Sequence, residues 1–325
     1  MLKILFISPE AFGYYNKIIK GLNQAGYSVD WLHQIPSENP FVKGFIRLFP
    51  SLGEKLSNRY FNNNIEWNKS YDIVLVIKGE GLSSEMLEKL RKTNSAALFV
   101  FYNWDSFENS KSAIKKLRFF DTVKSFDSYN AKKMSNVELL PLFHSIDDKD
   151  ARDMNSLDYS SFFAGTVHSN RFSKINELSK LIQSVSKKPS FLFFFYPSRL
   201  IFLVNKLFKK EFRDIPISSI SFKKRTTEDL IDKMKSATVV VDICNENQHG
   251  LTMRTIEAVG LRKKLITNNK EIVNYPFYHC NNVLITEGLT SERLKEFLDC
   301  EYVHLNIDVY QDLYVENWVK KLIDA

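Results

Sequence analysis

Short, nearly continuous apolar runs alternate with stretches of helical periodicity along most of the chain, and this alternation leaves few folds open. "KILFIS" (Lys3–Ser8) precedes "PEAFGYYNKIIKGLNQAG", whose apolar residues recur at helical spacing up to Gly26, a residue suited to a helix C-terminus. "YSVDWLHQ" supplies a second strand. Strand, helix and strand of these lengths form a βαβ unit, whose crossover makes the strands parallel. The pattern recurs through "DIVLVIKG", "SSEMLEKLRKTN" (a helix opened by Ser83 or Ser84), "AALFVFYNW", "FFDTVKSFD" and "VELLPLF". These strands lack polar alternation, as expected where helices cover both faces of a sheet.

"HSIDDKDARDMNSLDYS" (His144–Ser160) is charged and aperiodic and reads as a linker. The alternation then restarts with "SSFFAGT", "SNRFSKINELSKLIQSV", "SFLFFFY", "RLIFLVNKLFKKEF", "TTEDLIDKMKSA" (capped by Thr226 or Thr227), "TVVVDI", "KLITNN" and "NNVLIT". A length of 325 residues is long for a single core. The expected fold is therefore α/β, with Rossmann-like domains over residues 1–150 and 151–308 and a helix within 309–325 packing back on the first domain. Two such halves joined by a short hinge are expected to face across a cleft between the carboxyl ends of their sheets, where open α/β sheets take ligands.

Composition narrows the function. Cys244, Cys280 and Cys300 stand far apart without CxxC spacing, so neither a disulfide framework nor a zinc site is expected. The opening "MLKILFISPEAFG" turns polar too soon for a signal h-region or a membrane span. The expected location is cytoplasmic, including the inner face of the cytoplasmic membrane. A net charge of +7 favours anionic partners. No RNP motif, zinc finger or arginine-rich arm is present, so nucleic acid is not an expected partner. The first turn reads "SPEAFG" instead of G-x-G-x-x-G, which disfavours a dehydrogenase.

The densest chemistry lies in "HGLTMRTIEAVGLRKKLITNN" (His249–Asn269). A glycine turn followed by a helix start suits an anion, because helix N-termini offer free N–H groups. Gly250 allows close backbone approach, Arg254 carries a planar fork of donors for phosphate oxygens, and Glu257 on the same face can accept from ribose hydroxyls. An i, i+3 ion pair between Arg254 and Glu257 on a solvated helix is the plainer alternative.

"FFAGTVHSNR", then "VVVDI" and the glycine-turn motif, resemble the donor domain of GT-B-fold nucleotide-sugar glycosyltransferases, especially bacterial enzymes of capsule and lipopolysaccharide synthesis. "YNWDSFENS", "FDTVKSFDSYNAKK" and "LLPLF" resemble the acceptor-side domain of the same group. The resemblance implies a nucleotide-sugar donor, a surface-polysaccharide or lipid-linked glycan acceptor, and a ribose-binding role for Glu257. It places His249, Gly250, Leu251, Thr252 and Arg254 at the donor. Gly165 and Thr166 would meet the phosphates with Arg171 as counter-charge, unless Arg171 merely caps its helix. The E-x7-E pattern of many retaining members is absent, with His249 in the earlier position and Glu246 out of register, so retention and inversion both stay open.

Three carboxylates follow strands of the first domain. Asp105 in "NWDS", Glu80 in "KGEGLSS" and Asp127 in "SFDS" each suit a general base for an attacking hydroxyl or, equally, a helix cap. Asp148–Asp150 has a D-x-D shape but lies in the linker, and His144, His168, His249 and His279 lack ligand spacing, so no metal or other cofactor is expected. His168 and His249 are placed to touch phosphate or sugar. Residues Pro40–Phe61 and Pro197–Arg213 mix bulky apolar and basic residues in the manner of helices that contact an anionic bilayer; amphipathic core helices share that look, and the core reading is the simpler for either. A non-hydrolysing nucleotide-sugar epimerase and a catalytically silent nucleotide-sugar-binding module are the rival readings.

Overall fold

Six parallel strands make one sheet in each of two units of the chain. The computed structural model describes residues 1–10, 13–39, 42, 44, 46, 48–147, 151, 157–168, 170–245 and 248–324. One unit comprises Met1–Pro141 with Val315–Ala325, the other Leu142–Tyr314. The Asp148–Asp150 segment and Glu246 fall outside the described residues.

In the first unit, β1 (Lys3–Ser8), β2 (Ser28–His33), β3 (Ile73–Ile77), β4 (Leu98–Asn103), β5 (Thr122–Ser125) and β6 (Glu138–Leu139) lie in the order β2-β1-β3-β4-β5-β6. The central strands are buried along their length, which is why they read as unbroken apolar runs. Helix Tyr14–Gln24 stops where Gly26 takes φ +93° and donates its N–H to Asn23 O at 3.0 Å, while Tyr27 N donates to Leu22 O at 3.1 Å. That left-handed closure favours glycine. Ser83 caps helix Ser84–Thr93 by accepting from Met86 N.

The C-terminal helix Val315–Ile323 belongs to this unit. Trp318 is buried edge-on to Tyr102, with ring centroids 5.2 Å apart, and its Nε1 donates to Pro141 O at 2.7 Å. Lys124 Nζ donates to Lys321 O at 2.6 Å and Asp324 O at 2.9 Å, placing a cation at the negative end of the helix dipole.

The second unit holds β7 (Tyr159–Thr166), β8 (Phe191–Phe195), β9 (Ile220–Ser221), β10 (Ala237–Asp242), β11 (Lys264–Thr267) and β12 (Val283–Ile285), in the order β12-β11-β10-β7-β8-β9. The chain runs outward from β7 through β9, returns to β10 beside β7, and then runs out the other way. This is the doubly wound order, and its switch point lies between β7 and β10. Phe163, Phe194, Val239, Val241 and Ile266 share its core. Thr226, rather than Thr227, caps the helix Thr227–Lys235.

Of the two basic amphipathic segments, Pro197–Arg213 departs from the core reading, while the described part of Pro40–Phe61 keeps it by burying Phe61 in the core. Helix Arg199–Phe208 buries Phe202 and leaves Leu200, Leu207 and Phe208 exposed. Pro40–Phe61 lies partly outside the described residues; within it, helix Pro50–Asn64 buries Gly53, Ser57 and Phe61 and exposes Leu52 and Leu56. Among the described residues no helix is long and apolar enough to cross a membrane.

Candidate functional site

β7 and β10 end side by side at the switch point, and the donor-motif residues gather there. β10 ends at Asp242, whose side chain is buried. Its Oδ1 accepts from Arg254 Nη1 at 2.7 Å, and its Oδ2 accepts from Thr252 Oγ1 at 2.5 Å and Thr255 Oγ1 at 2.8 Å. Thr252 is also the N-cap of helix Met253–Gly260, accepting from Thr255 N at 3.3 Å. One carboxylate thus ties the strand end to the first turn of the motif helix. A buried charge requires such compensation, and here a cation and two hydroxyls supply it.

Arg254 therefore pairs with Asp242 across from the helix that carries it. Its guanidinium lies over the Phe163 ring, 4.7 Å from the centroid, which fixes the plane of the fork. It also reaches β7: a Cβ on Gly165 would stand 2.8 Å from Arg254 Nη2 and 3.7 Å from Arg171 Nη1. A side chain at Gly165 would be crowded by the Arg254 guanidinium and by Phe163 Cζ at 3.1 Å, with Arg171 in ordinary contact beside them. Glu257, one turn beyond Arg254, is buried on the same helix.

Arg171 opens helix Arg171–Ser186, whose N-cap residue Asn170 makes no capping side-chain hydrogen bond among the described residues. Arg171 Nη1 donates to Thr166 O at 3.3 Å, while its Nε is buried with no hydrogen-bond partner among the described residues. Burial and then the neighbouring Arg254 charge push its pKa down to about 10, against the pull of Asp242. A cation at a helix N-terminus opposes the dipole, a second cation beside it adds repulsion, and an unmet buried donor adds desolvation. His168, two residues past Thr166, is held down to about 4 by burial and by the Arg171 charge, with a side-chain hydrogen bond to Asn245 opposing them.

The glycine turn is fixed from below. Gly250 O accepts from Gln248 Nε2 at 3.2 Å and Asn269 Nδ2 at 3.3 Å, and Asn269 Nδ2 also donates to His249 O at 3.2 Å. His249 is half-buried and Leu251 is in the core, so only backbone at position 251 is left to meet a ligand. The basic run after the helix serves the fold. Arg262 lies over the Tyr310 ring, Lys263 Nζ donates to Ala237 O at 3.1 Å, and the buried Lys264 Nζ donates to the carbonyls of Phe297, Leu298 and Cys300 at the end of helix Ser291–Asp299. These contacts stand where β10 and β11 begin, at the opposite ends of the strands from Asp242 and Thr267.

In the first unit, Lys78 follows β3 in a left-handed conformation, φ +64°, unusual for a residue with a side chain. Its Nζ lies 3.6 Å from Asp105 Oδ2 and 3.9 Å from Glu80 Oε2. Asp105 Oδ1 accepts from Ser106 N at 2.8 Å and Asn109 Nδ2 at 3.1 Å. Asp127 is fully buried and caps helix Ser128–Lys133, accepting from Tyr129 N at 2.9 Å and Asn130 N at 3.3 Å. Glu80 and Asp105 thus share one ammonium and stay accessible, and one oxygen of Asp127 is taken up by its cap. Lys116 Nζ donates to Gly79 O at 3.1 Å and holds the same turn; burial pushes its pKa down to about 8.

Sequence reasoning missed Asp242 and Lys78. The first was visible as a lone aspartate ending an apolar strand; nothing in the sequence marked the second.

No protein-family model and no curated protein sequence matches the chain. Solved structures do. AviGT4, a glycosyltransferase involved in avilamycin A biosynthesis, aligns over 99% of this chain and 96% of its own, at 10% identity and TM-score 0.58. Sucrose-phosphate synthase from Thermosynechococcus elongatus aligns over 100% and 95%, at 12% identity and TM-score 0.52. Anabaena HepE in complex with UDP and glucose aligns over 100% and 96%, at 13% identity and TM-score 0.50. With its two parallel six-stranded sheets, the chain has the α/β GT-B fold of these enzymes along its whole length.

Proposed function

We propose that this protein is a GT-B glycosyltransferase that moves a sugar from a nucleotide-sugar donor to a surface-polysaccharide or lipid-linked glycan acceptor, as enzymes of capsule and lipopolysaccharide synthesis do. The observation that carries this reading is the convergence of Arg171 and Arg254 on Gly165 with a single carboxylate, Asp242, between two strand ends. Two cations facing one anion, with a buried donor to spare, are costly in the empty protein. A diphosphate offsets the repulsion, meets Arg171 Nε and occupies the positive end of helix Arg171–Ser186. Glu257 then accepts from the ribose, and Thr166 and the turn at His249–Thr252 line the donor. The structural relative crystallised with UDP and glucose supports a nucleotide-sugar ligand.

Transfer needs a leaving diphosphate to be stabilised, which the two guanidinium groups do without a metal ion. In an inverting reaction it also needs a base for the acceptor hydroxyl, and Asp105, accessible and held by Ser106 and Asn109, suits that task better than the buried Asp127. Glu80 is its rival.

A thermal-shift panel of nucleoside diphosphates followed by a mass-tagged donor assay tests the reading. Binding to the folded state raises apparent stability by about 2.7 kcal/mol at a hundredfold excess over Kd. One nucleoside diphosphate is expected to shift the midpoint, and its sugar conjugate to be consumed with acceptor. A shift without turnover would leave a silent binding module, and turnover to an isomeric donor an epimerase.

A further inference from the structure

Helix Arg199–Phe208 is built inside out. Projected at 100° per residue, Leu200, Leu203, Val204, Leu207 and Phe208 occupy one face, with Ile201 at its margin. All six are exposed, Leu200 and Leu207 by 71% each and Phe208 by 78%. The opposite side turns to the domain, and only Phe202 there is a buried hydrophobe, packed among the rings of Tyr196, Phe212 and Phe222. The rest of that side is polar: Asn205 Nδ2 donates to Tyr196 Oη at 2.6 Å, and Lys206 Nζ donates to Arg213 O at 2.7 Å. Six large apolar side chains facing water on a ten-residue helix exceed the scatter of single exposed hydrophobes on an ordinary surface.

The charge around this face chooses its partner. From Arg199 to Arg213 the chain carries five basic residues against Glu211 alone, and Arg199, Lys209, Lys210 and Arg213 are exposed. Lys223, Lys224 and Arg225, also exposed, follow Phe222, whose ring lies 5.9 Å from that of Phe202. Lysine is depleted in the cores of protein interfaces, and a single convex helix offers no pocket for a partner's side chains. A leucine-rich face ringed by Lys and Arg fits acyl chains beneath anionic headgroups.

We propose that the face formed by Leu200, Leu203, Val204, Leu207 and Phe208 docks this domain on an anionic lipid bilayer, with the surrounding Lys and Arg side chains on the headgroups. The inference adds to the transferase reading and does not depend on it, since vesicle binding is measured without nucleotide and nucleotide binding without vesicles.

The test is flotation of the full chain with phosphatidylcholine vesicles and with vesicles of equal parts phosphatidylcholine and phosphatidylglycerol. The wild-type chain is expected to float with the second and not the first. Leu207→Glu with Phe208→Ser should abolish flotation while leaving the thermal midpoint and nucleoside-diphosphate affinity unchanged, since both side chains are exposed. Lys209→Ala and Lys210→Ala should each lower partitioning by about fivefold. Failure of the wild type to float, or flotation of the double variant at the wild-type level, overturns the proposal. So does a lipid-free dimer, seen by sedimentation, that the double variant dissolves, because the face then belongs to a second copy of the chain.

Discussion

Asp242 and Arg254, twelve residues apart, meet at 2.7 Å at the switch point of the second sheet, and the same carboxylate bonds the cap of the helix that carries Arg254. The pair orients as much as it neutralises. With one nitrogen on Asp242 and the plane of the fork against Phe163, the guanidinium presents Nη2 toward Gly165.

If that fork holds the diphosphate, removing it costs one charge-assisted interaction, typically about 1.5–3 kcal/mol. Arg254→Ala is therefore expected to weaken nucleoside-diphosphate binding by roughly ten- to a hundredfold. Calorimetry reads the change directly, and unchanged affinity would remove Arg254 from the donor site. Arg254→Lys should lose about as much, since a point ammonium cannot serve Asp242 and a phosphate in one plane.

Gly165→Ala probes the convergence from the other side. The added methyl would stand 2.8 Å from Arg254 Nη2 and 3.1 Å from Phe163 Cζ. The guanidinium is the more mobile neighbour, so the fold should survive with a loss of about 1–3 kcal/mol, as for other overpacked sites. Nucleotide affinity should fall at least tenfold because the Arg254 guanidinium is displaced, while Arg171 Nη1, at 3.7 Å, stays in ordinary contact. A variant with wild-type affinity would show that ligand and guanidinium do not meet over this residue.

How much of this was legible beforehand differs by element. β3, β4, β7 and β10 could be read because strands covered on both faces keep a continuous apolar stretch without polar alternation, even where serine, threonine, asparagine or aspartate flanks it. Arg254 and Gly165 could be read as a pair of motifs, but not as neighbours, because strand order and not spacing brings β7 beside β10. Asp242 was hidden since a single aspartate at a strand end looks like the start of a loop. Lys78 was hidden because its reach to Asp105 depends on a left-handed turn that its own residue type disfavours. The part played by the basic run Arg262–Lys264 was not legible, because its charges satisfy carbonyls and a ring that only the fold brings near. Periodicity showed that helix Arg199–Phe208 has an apolar side, but only the packing of Phe202 shows which way that side points.

His168 makes stability depend on pH. Its imidazole titrates near 4 in the folded chain instead of near 6.5, from burial first and the Arg171 charge second. Between those values the unfolded chain binds a proton that the folded chain does not, so this contribution is whole above pH 6.5 and is lost as pH falls toward 4. His168→Gln should flatten the decline of the denaturation midpoint over that interval. A bound nucleoside diphosphate offsets the Arg171 charge and should raise the His168 pKa, which NMR titration of the imidazole measures. An imidazole titrating near 6.5 in the ligand-free chain contradicts the assignment.

The last expectation separates chemistry from binding. If Arg171 and Arg254 supply the positive charge a leaving diphosphate needs, turnover should survive EDTA; loss of turnover that manganese restores would reject the metal-free mechanism. Asp105 shares Lys78 with Glu80 and accepts from Ser106 N and Asn109 Nδ2, which fixes one oxygen and leaves the other toward the ammonium. Asp105→Asn keeps the shape and those contacts but cannot take a proton. Nucleotide affinity should stay at the wild-type value while kcat falls by about a hundred- to ten-thousandfold, the usual contribution of a general base. Glu80→Gln, which removes the rival carboxylate beside the same ammonium, should leave kcat within a fewfold of wild type. If the two variants exchange these outcomes, Glu80 is the base, and if neither lowers kcat, proton transfer does not depend on this pair and the inverting mechanism loses its support.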